Sequence, residues 1–238
     1  MESEKLLATI EKLRKIRTKN DLKAPASKTL KTTLDNGSPL VLRQYQIQGI
    51  LHLLAMPRFV LGDDTGLGKT LQAVAALSYL WDKKPDIPAI ICTTKSAVGQ
   101  WESEIDRFTI GVKVFKCLGT KKKRAKIHEE FQAYNAGPKA MIMGYRTAVM
   151  DFQYLQPISG HIMIFDEATA FKNDKAQVHQ VCKHLAGSAE RVWSLSATII
   201  KNRLMEAWAI YKVTVPHLFT TKTSFMREYC ITRDQTIP

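Results

Sequence analysis

The sequence predicts an α/β fold: a mainly parallel sheet with helices on both faces. Three observations carry that expectation. Short apolar runs, such as Phe59-Val60-Leu61, Ala89-Ile90-Ile91-Cys92 and Ile162-Met163-Ile164-Phe165, alternate with longer stretches whose apolar residues recur at helical spacing. The runs are apolar at every position rather than every second one, as in strands covered on both sides. A glycine-rich loop, Gly62-Asp63-Asp64-Thr65-Gly66-Leu67-Gly68-Lys69-Thr70, joins the first run to a helix-forming stretch, Leu71 to Leu77.

A chain of 238 residues can bury a full core. Hydrophobic residues at 45% and charged residues at 24% are ordinary globular values. No apolar run is long enough to span a bilayer, and Met1-Glu2-Ser3-Glu4-Lys5 opens no signal-peptide pattern, so no membrane partner is expected. Cys92, Cys117, Cys182 and Cys230 are scattered, without a C-x-x-C pair. That argues against a disulfide framework or structural zinc and for a reducing compartment, cytoplasmic or nuclear. His179, Cys182 and His184 lie close together but match no common zinc spacing. Lys and Arg number 35 against 22 Asp and Glu, a net charge of +13. Such a surplus suits a polyanionic partner, nucleic acid foremost, although a merely soluble basic surface gives the same total.

Along the chain, Glu4 to Arg17 reads as a helix, with Leu6, Leu7, Ile10, Leu13 and Ile16 on one stripe. Thr18 to Ser38 is polar and basic, broken by Pro25 and Gly37, and reads as a linker. Residues 1–38 are thus a basic helical extension and linker, and residues 39–238 the main domain. Leu42 to Ile50 leads into a helix through Leu54. The helix after the loop ends before a turn at Pro85 to Pro88, and Ala89 to Thr94 is a strand. Ser96, a ready N-cap, opens a helix to Phe108 with Val98, Trp101, Ile105 and Phe108 inward. After a strand at Val112 to Leu118, Lys121-Lys122-Lys123-Arg124 opens a helix to about Tyr134. That basic run reads as a solvated face, with a nucleic-acid backbone contact as the alternative. Ala140 to Tyr145 and His161 to Phe165 are strands, and Ala176 to Leu185 is a helix. Arg191 to Leu195 is the last strand; Asn202 to Val213 and Phe225 to Tyr229 are the last helices.

The loop carries the chemistry. Glycines let backbone N–H groups turn inward around an anion, and the following helix adds the positive end of its dipole. Lys69 is placed to reach the β- and γ-phosphates of a nucleotide, and the Thr70 hydroxyl to ligate Mg²⁺. Asp63 stands where the general pattern G-x-x-x-x-G-K-[ST] has its first glycine. The run ending in Phe165 delivers Asp166 and Glu167 to a strand's C-terminal end, where parallel sheets bind their ligands. Asp166 is placed to hold the metal, and Glu167 to orient and deprotonate an attacking water. The bland reading is a glycine turn with a surface lysine and a strand ending in two solvated acids.

Taken in order, these stretches resemble the first motor lobe of a superfamily-two helicase, most closely its Swi/Snf-like branch. Leu42-Arg43-Gln44-Tyr45-Gln46 is similar to that branch's L-R-x-Y-Q adenine motif. Asp63 to Thr70 resembles D-E-M-G-L-G-K-T, which also has aspartate in place of the first glycine. Lys95-Ser96 through Trp101 and Glu104 resembles the next motif, with Thr94 for a proline. Asp166-Glu167-Ala168-Thr169 with Lys172-Asn173 resembles D-E-A-H-x-x-K-N, with Thr169 for the histidine. Ser196-Ala197-Thr198 through Asn202 resembles the third motif, and Leu204, Glu206, Trp208, Pro216, Leu218, Phe219 and Phe225 follow the branch's tail.

The resemblance implies a RecA-like P-loop lobe of an ATP-driven helicase or translocase on duplex or branched DNA, using ATP and Mg²⁺. It assigns nucleotide binding to Arg43, Gln46, Asp63, Thr65, Gly66, Leu67, Gly68, Lys69 and Thr70, and metal binding to Thr70 and Asp166. Catalysis falls to Glu167 and Lys69, coupling to Ser196 and Thr198, and DNA contact to Thr94, Lys95, Ser96 and Tyr145. Only 40 residues follow Thr198 (238 minus 198), whereas a second lobe needs roughly 100 or more. The second RecA-like lobe is therefore expected from the rest of a longer protein or from a partner. In the branch that lobe supplies the arginines of the transition state, so this chain alone is expected to be nearly inactive. The alternative is a non-catalytic nucleotide- and DNA-binding module. Compact motif spacing favours a small bacterial or viral enzyme of DNA repair or replication.

Overall fold

The computed structural model describes residues 22–200, 204–218 and 221–229, together with residue 11. Apart from residue 11, the helix expected over Glu4 to Arg17 lies outside the described residues, as do Asn202, Phe219 and Cys230. The order is α1 (Gln44–Ala55), β1 (Arg58–Leu61), α2 (Lys69–Lys83) and β2 (Ala89–Thr93). A single 3₁₀ turn (Lys95–Ala97) then leads into α3 (Val98–Phe108), β3 (Lys113–Lys116), α4 (Lys121–Ala133) and β4 (Lys139–Gly144). Two short helices, α5 (Tyr145–Met150) and α6 (Phe152–Leu155), precede β5 (Ile162–Asp166) and a second 3₁₀ turn (Ala168–Phe171). The chain continues through α7 (Gln177–Ser188), β6 (Arg191–Leu195), α8 (Leu204–Thr214) and α9 (Lys222–Tyr229).

The six strands form one sheet in the order β1-β6-β5-β2-β4-β3, every pair parallel. This is the expected α/β architecture. Every residue of β2 is buried, and strand alternation divides its side chains between two layers. Ala89, Ile91, Ile164 and Trp193 join α1, α2 and α3 through Leu53, Leu77, Trp101 and Ile105. Ile90, Cys92, Met163 and Phe165 join α4, α5, α7 and α8 through Phe131, Ala148, Leu185 and Ile210. Ala73, Ala75 and Ala76 let α2 lie close over the sheet. Trp81 fills the space at its end and donates its indole N–H to the Ile87 carbonyl at 2.9 Å.

Where strands begin, cations close helix ends. Arg58 donates to the carbonyls of Ala186 (2.7 Å) and Thr214 (3.3 Å). Arg191 reaches those of Leu53, Leu54 and Met56 at 3.3, 3.2 and 3.4 Å. The Lys139 ammonium lies 2.7 Å from the Phe131 oxygen and 2.6 Å from that of Tyr134. Each cation serves carbonyls that a helix C-terminus leaves open and meets the negative end of its dipole.

Three local features depart from the sequence reading. Residues 22–38 have no helix or regular strand, yet they are fastened down as a strap. Leu22 is buried beside Ile47 and donates its N–H to Gln44 Oε1 at 3.1 Å. The Lys28 and Thr29 N–H groups and the Thr29 hydroxyl converge on the Asp82 carboxylate at 2.7, 3.1 and 2.7 Å. Ser96 is not the cap of a long helix; it lies within the first 3₁₀ turn, its hydroxyl 3.2 Å from that of Thr94. In the basic run, Lys121 to Lys123 stay exposed but Arg124 is buried. It turns inward because the buried Asp151 carboxylate requires a partner, and it binds that group with two prongs, at 2.6 and 2.8 Å. His179 bonds the Phe171 carbonyl at 3.0 Å, Cys182 is in the core, and His184 meets the edge of Phe152. Among the described residues, no helix is long and apolar enough to cross a membrane.

His161 is fully buried, and burial pushes its pKa down to about 4; burial also lowers His128 and His179. A folded-state pKa below the unfolded value means that the native chain binds fewer protons. Stability is therefore complete above the unfolded value of about 6.5 and falls as pH drops toward 4. Urea titrations between pH 7 and 5 should show that loss, at up to about 1.4 kcal/mol per pH unit per histidine, with a shallower slope in His161→Phe.

Candidate nucleotide site

At the end of β1 the chain bends through residues 62–68 into α2. Gly66 and Gly68 have φ of +78° and +73°, a region that side chains resist, so both positions need glycine. The Lys69 ammonium lies inside the bend, donating to the carbonyls of Asp63 (2.8 Å) and Asp64 (3.0 Å). Asp63 also holds the bend through its side chain. Gln72 of α2 donates to Asp63 Oδ2 at 2.8 Å and to the Leu67 carbonyl at 3.3 Å. Gln72 is completely buried and has room only because residue 49 is glycine; a Cβ there would lie 1.7 Å from Gln72 Oε1. On the opposite side, Gln46 Oε1 accepts the Arg43 N–H at 3.0 Å, while Nε2 donates to the Leu67 carbonyl at 3.4 Å.

β5 brings Asp166 and Glu167 to the same edge. Asp166 Oδ2 accepts the Thr93 hydroxyl and the Trp101 indole N–H, each at 2.8 Å. The Tyr145 hydroxyl donates to the Asp166 backbone carbonyl at 2.7 Å. Glu167 is the one non-glycine residue of positive φ among the described residues, at φ 52°, ψ 57°. Such a conformation costs on the order of 1–3 kcal/mol and persists where neighbours over-determine it. Here the Tyr145 bond fixes the preceding peptide, and the Ala170 N–H takes the Glu167 carbonyl at 2.9 Å.

A cleft of about 560 Å³ collects Thr65, Gly66, Gly68, Lys69, Thr70, Thr94, Ser96, Asp166 and Glu167 from the expected set. Gln100, Trp101 and Glu104 of α3 also line it. Burial pushes the Glu104 carboxyl up, against the pull of Arg107. Arg43, Gln46, Asp63, Leu67, Lys95, Tyr145, Ser196 and Thr198 are not part of that lining. Asp63, Gln46 and Leu67 shape the bend from behind. Ser196 is buried; its N–H donates to the Leu61 carbonyl at 3.1 Å, and its hydroxyl binds the Thr198 backbone. The third motif is thereby tied to the strand that feeds the loop. Thr94 and Lys95 are exposed beside a second groove of about 550 Å³, which also includes Arg124 and Arg146. Tyr145 also lines that groove, although its ring is mostly buried and its hydroxyl donates to the Asp166 carbonyl.

The sequence profile of the SNF2-related domain matches residues 45–236. This chain belongs to the SNF2-related domain family. It is 27% identical over 213 residues to an uncharacterized ATP-dependent helicase of Mycoplasma genitalium, covering 87% of this chain and 20% of that protein. It is 31% identical to the ISWI chromatin-remodeling complex ATPase ISW1 of Saccharomyces cerevisiae, covering 77% of this chain and 16% of that one. Against the ATP-dependent DNA helicase DDM1 of Arabidopsis thaliana the figures are 28%, 77% and 25%. The chain thus spans a quarter or less of these relatives' length. Its fold matches the SWI2/SNF2 ATPase core of Sulfolobus solfataricus, solved in complex with dsDNA, with a TM-score of 0.70 at 22% identity. That match covers 88% of this chain and 41% of the other, and it gives the SNF2-related domain described above a RecA-like core.

Helix propensity alone favours alanine over glycine by about 1 kcal/mol inside a helix, so Gly49→Ala would be stabilising on an open surface. Here the sign should reverse, because the new methyl drives Gln72 off Asp63 and Leu67. Thermal unfolding should show a loss of about 1–3 kcal/mol, and nucleotide affinity should fall with it. A stabilised variant would exclude the Gly49–Gln72 fit.

Proposed function

We propose that this chain is the ATP-binding motor lobe of a DNA-dependent ATPase, a helicase or translocase acting on duplex or branched DNA. One observation carries the reading: Lys69 and Thr70 share a single cleft with Asp166 and Glu167 in a chain of the SNF2-related domain family. Lys69 and the N–H groups of the bend take the terminal phosphates. Glu167 orients the attacking water and takes its proton as the new bond to the γ-phosphorus forms and the bond to the bridging oxygen breaks. Gln46 and Arg43 meet the adenine.

The residues present fit Mg²⁺. Thr70 offers a hydroxyl at the head of α2, and Asp166 has one oxygen taken by neutral donors and one left over, the hard oxygen set that this ion prefers. When bound, the ion supplies charge that offsets the build-up on the phosphate oxygens. Ser196 and Thr198 report the state of the bend through the Leu61 contact. DNA phosphates run along Thr94, Lys95 and Ser96, beside Arg146. The relatives' names include ATP-dependent helicases and chromatin-remodeling ATPases, which supports the reading. The second RecA-like lobe comes from the remainder of a longer protein or a partner, and the site of action is the DNA of the cytoplasm or nucleus.

With a second lobe supplied, Glu167→Gln should retain ATP binding while turnover falls about 10²–10⁴-fold. Turnover that survives in this variant removes Glu167 from its role. Without that lobe, turnover should be about 10³–10⁵-fold lower, the usual worth of an arginine finger. Affinity for duplex DNA should fall linearly on a log–log salt plot, and Lys95→Ala should reduce the slope by about 1. An affinity indifferent to salt would make the +13 charge incidental.

A further inference from the structure

Two donors outside the phosphate chemistry converge on the proposed metal acid. Thr93, the last residue of β2, gives its hydroxyl to Asp166 Oδ2, and Trp101 of α3 gives its indole N–H to the same oxygen, both at 2.8 Å. Thr93 is 0% and Trp101 1% exposed. A buried hydroxyl or indole N–H takes whatever acceptor lies in reach, so either bond alone would be ordinary. The convergence is what matters. The end of β2 and the helix α3 that follows it, their donors eight residues apart, aim neutral groups at one oxygen of a carboxylate far along the chain, and among the described residues no protein donor reaches Oδ1. The Tyr145 bond to the Asp166 carbonyl holds the backbone of the same residue. With side chain and main chain both held, the carboxylate cannot turn about its last torsion without losing two buried hydrogen bonds. Partners of this kind, one bond removed from a metal, fix the direction from which a ligand atom is offered.

We propose that Thr93 and Trp101 are positioning residues for a divalent cation at Asp166: together they reserve Oδ1 for the metal and hold it in place before the metal arrives. The proposal rests on Asp166 being the metal acid of a nucleotide site. It separates these two residues from the merely structural role that their burial would suggest, because it ties them to the metal dependence of nucleotide binding rather than to binding in general.

The test is a titration of the 238-residue chain with a fluorescent ATP analogue, at Mg²⁺ concentrations from zero (EDTA) to saturation. Trp101→Phe removes the N–H and keeps most of the ring; Thr93→Val removes the hydroxyl and keeps the shape. Each should raise the Mg²⁺ concentration at half-effect by about tenfold or more, and Thr93→Val, whose residue does not line the cleft, should leave affinity in EDTA at the wild-type value. Thr93→Ser, which retains the hydroxyl, should titrate as wild type. Melting curves check folding, and if Trp101→Phe does not fold, the Val and Ser replacements of Thr93 carry the test. Equal weakening with and without Mg²⁺ marks a structural role and overturns the proposal, as do variants that titrate like wild type. A wild-type chain that binds no nucleotide overturns the phosphate site itself, and this assignment with it.

Discussion

Six strands running in one direction leave all their carboxyl ends at a single edge, and the loop, the two acids and the exposed 94–96 stretch all depend on that constraint. The loop before α2 follows β1, the two acids follow β5, and the exposed 94–96 stretch follows β2. The strand order places β6 between β1 and β5, so the loop and the acids are two strand spacings apart, about 10 Å. That gap suits a terminal phosphate with a cation beside it. The intervening strand also contributes: Ser196, just beyond its end, bonds the carbonyl from which the loop departs.

Conformational strain is concentrated at this edge, and so are the bonds that sustain it. Gly66 and Gly68 can adopt the left-handed region freely; Glu167 cannot, and it is held between two hydrogen bonds made by its neighbours. Asp63 occupies a place where the general phosphate loop would use glycine, and its carboxylate makes the substitution useful by anchoring the bend to Gln72. A departure from a motif is thus compensated by a residue nine positions further along the chain.

The sequence made legible what is local. Gly68-Lys69-Thr70 and Asp166-Glu167 are short, chemically specific and bounded by apolar runs, so both the sheet and the cleft could be expected from them. Contacts between distant positions could not be read. Trp101 reads as one more apolar residue on a helical stripe, and nothing in its spacing points to a carboxylate 65 residues away. Arg124 looks like the end of a basic surface run because its partner, Asp151, is brought alongside only by the packing of β3, α4 and the α5–α6 junction. The helices α5 and α6 are too short to display a period, so Tyr145, the first residue of α5, reads as the end of a strand. The pairing of Gly49 with Gln72 depends on the distance between two helix axes, a quantity no sequence pattern displays.

The cations that begin β1, β4 and β6 have a mechanical meaning. Arg58, Lys139 and Arg191 rivet the tail ends of α1, α4, α7 and α8 to the rim of the sheet farthest from the cleft. Four helices are thus footed on one rim, by bonds that owe nothing to the groups around the cleft. Any tilt of these helices would break hydrogen bonds to half-buried cations at their feet, so the cation-bearing rim fixes where each helix ends.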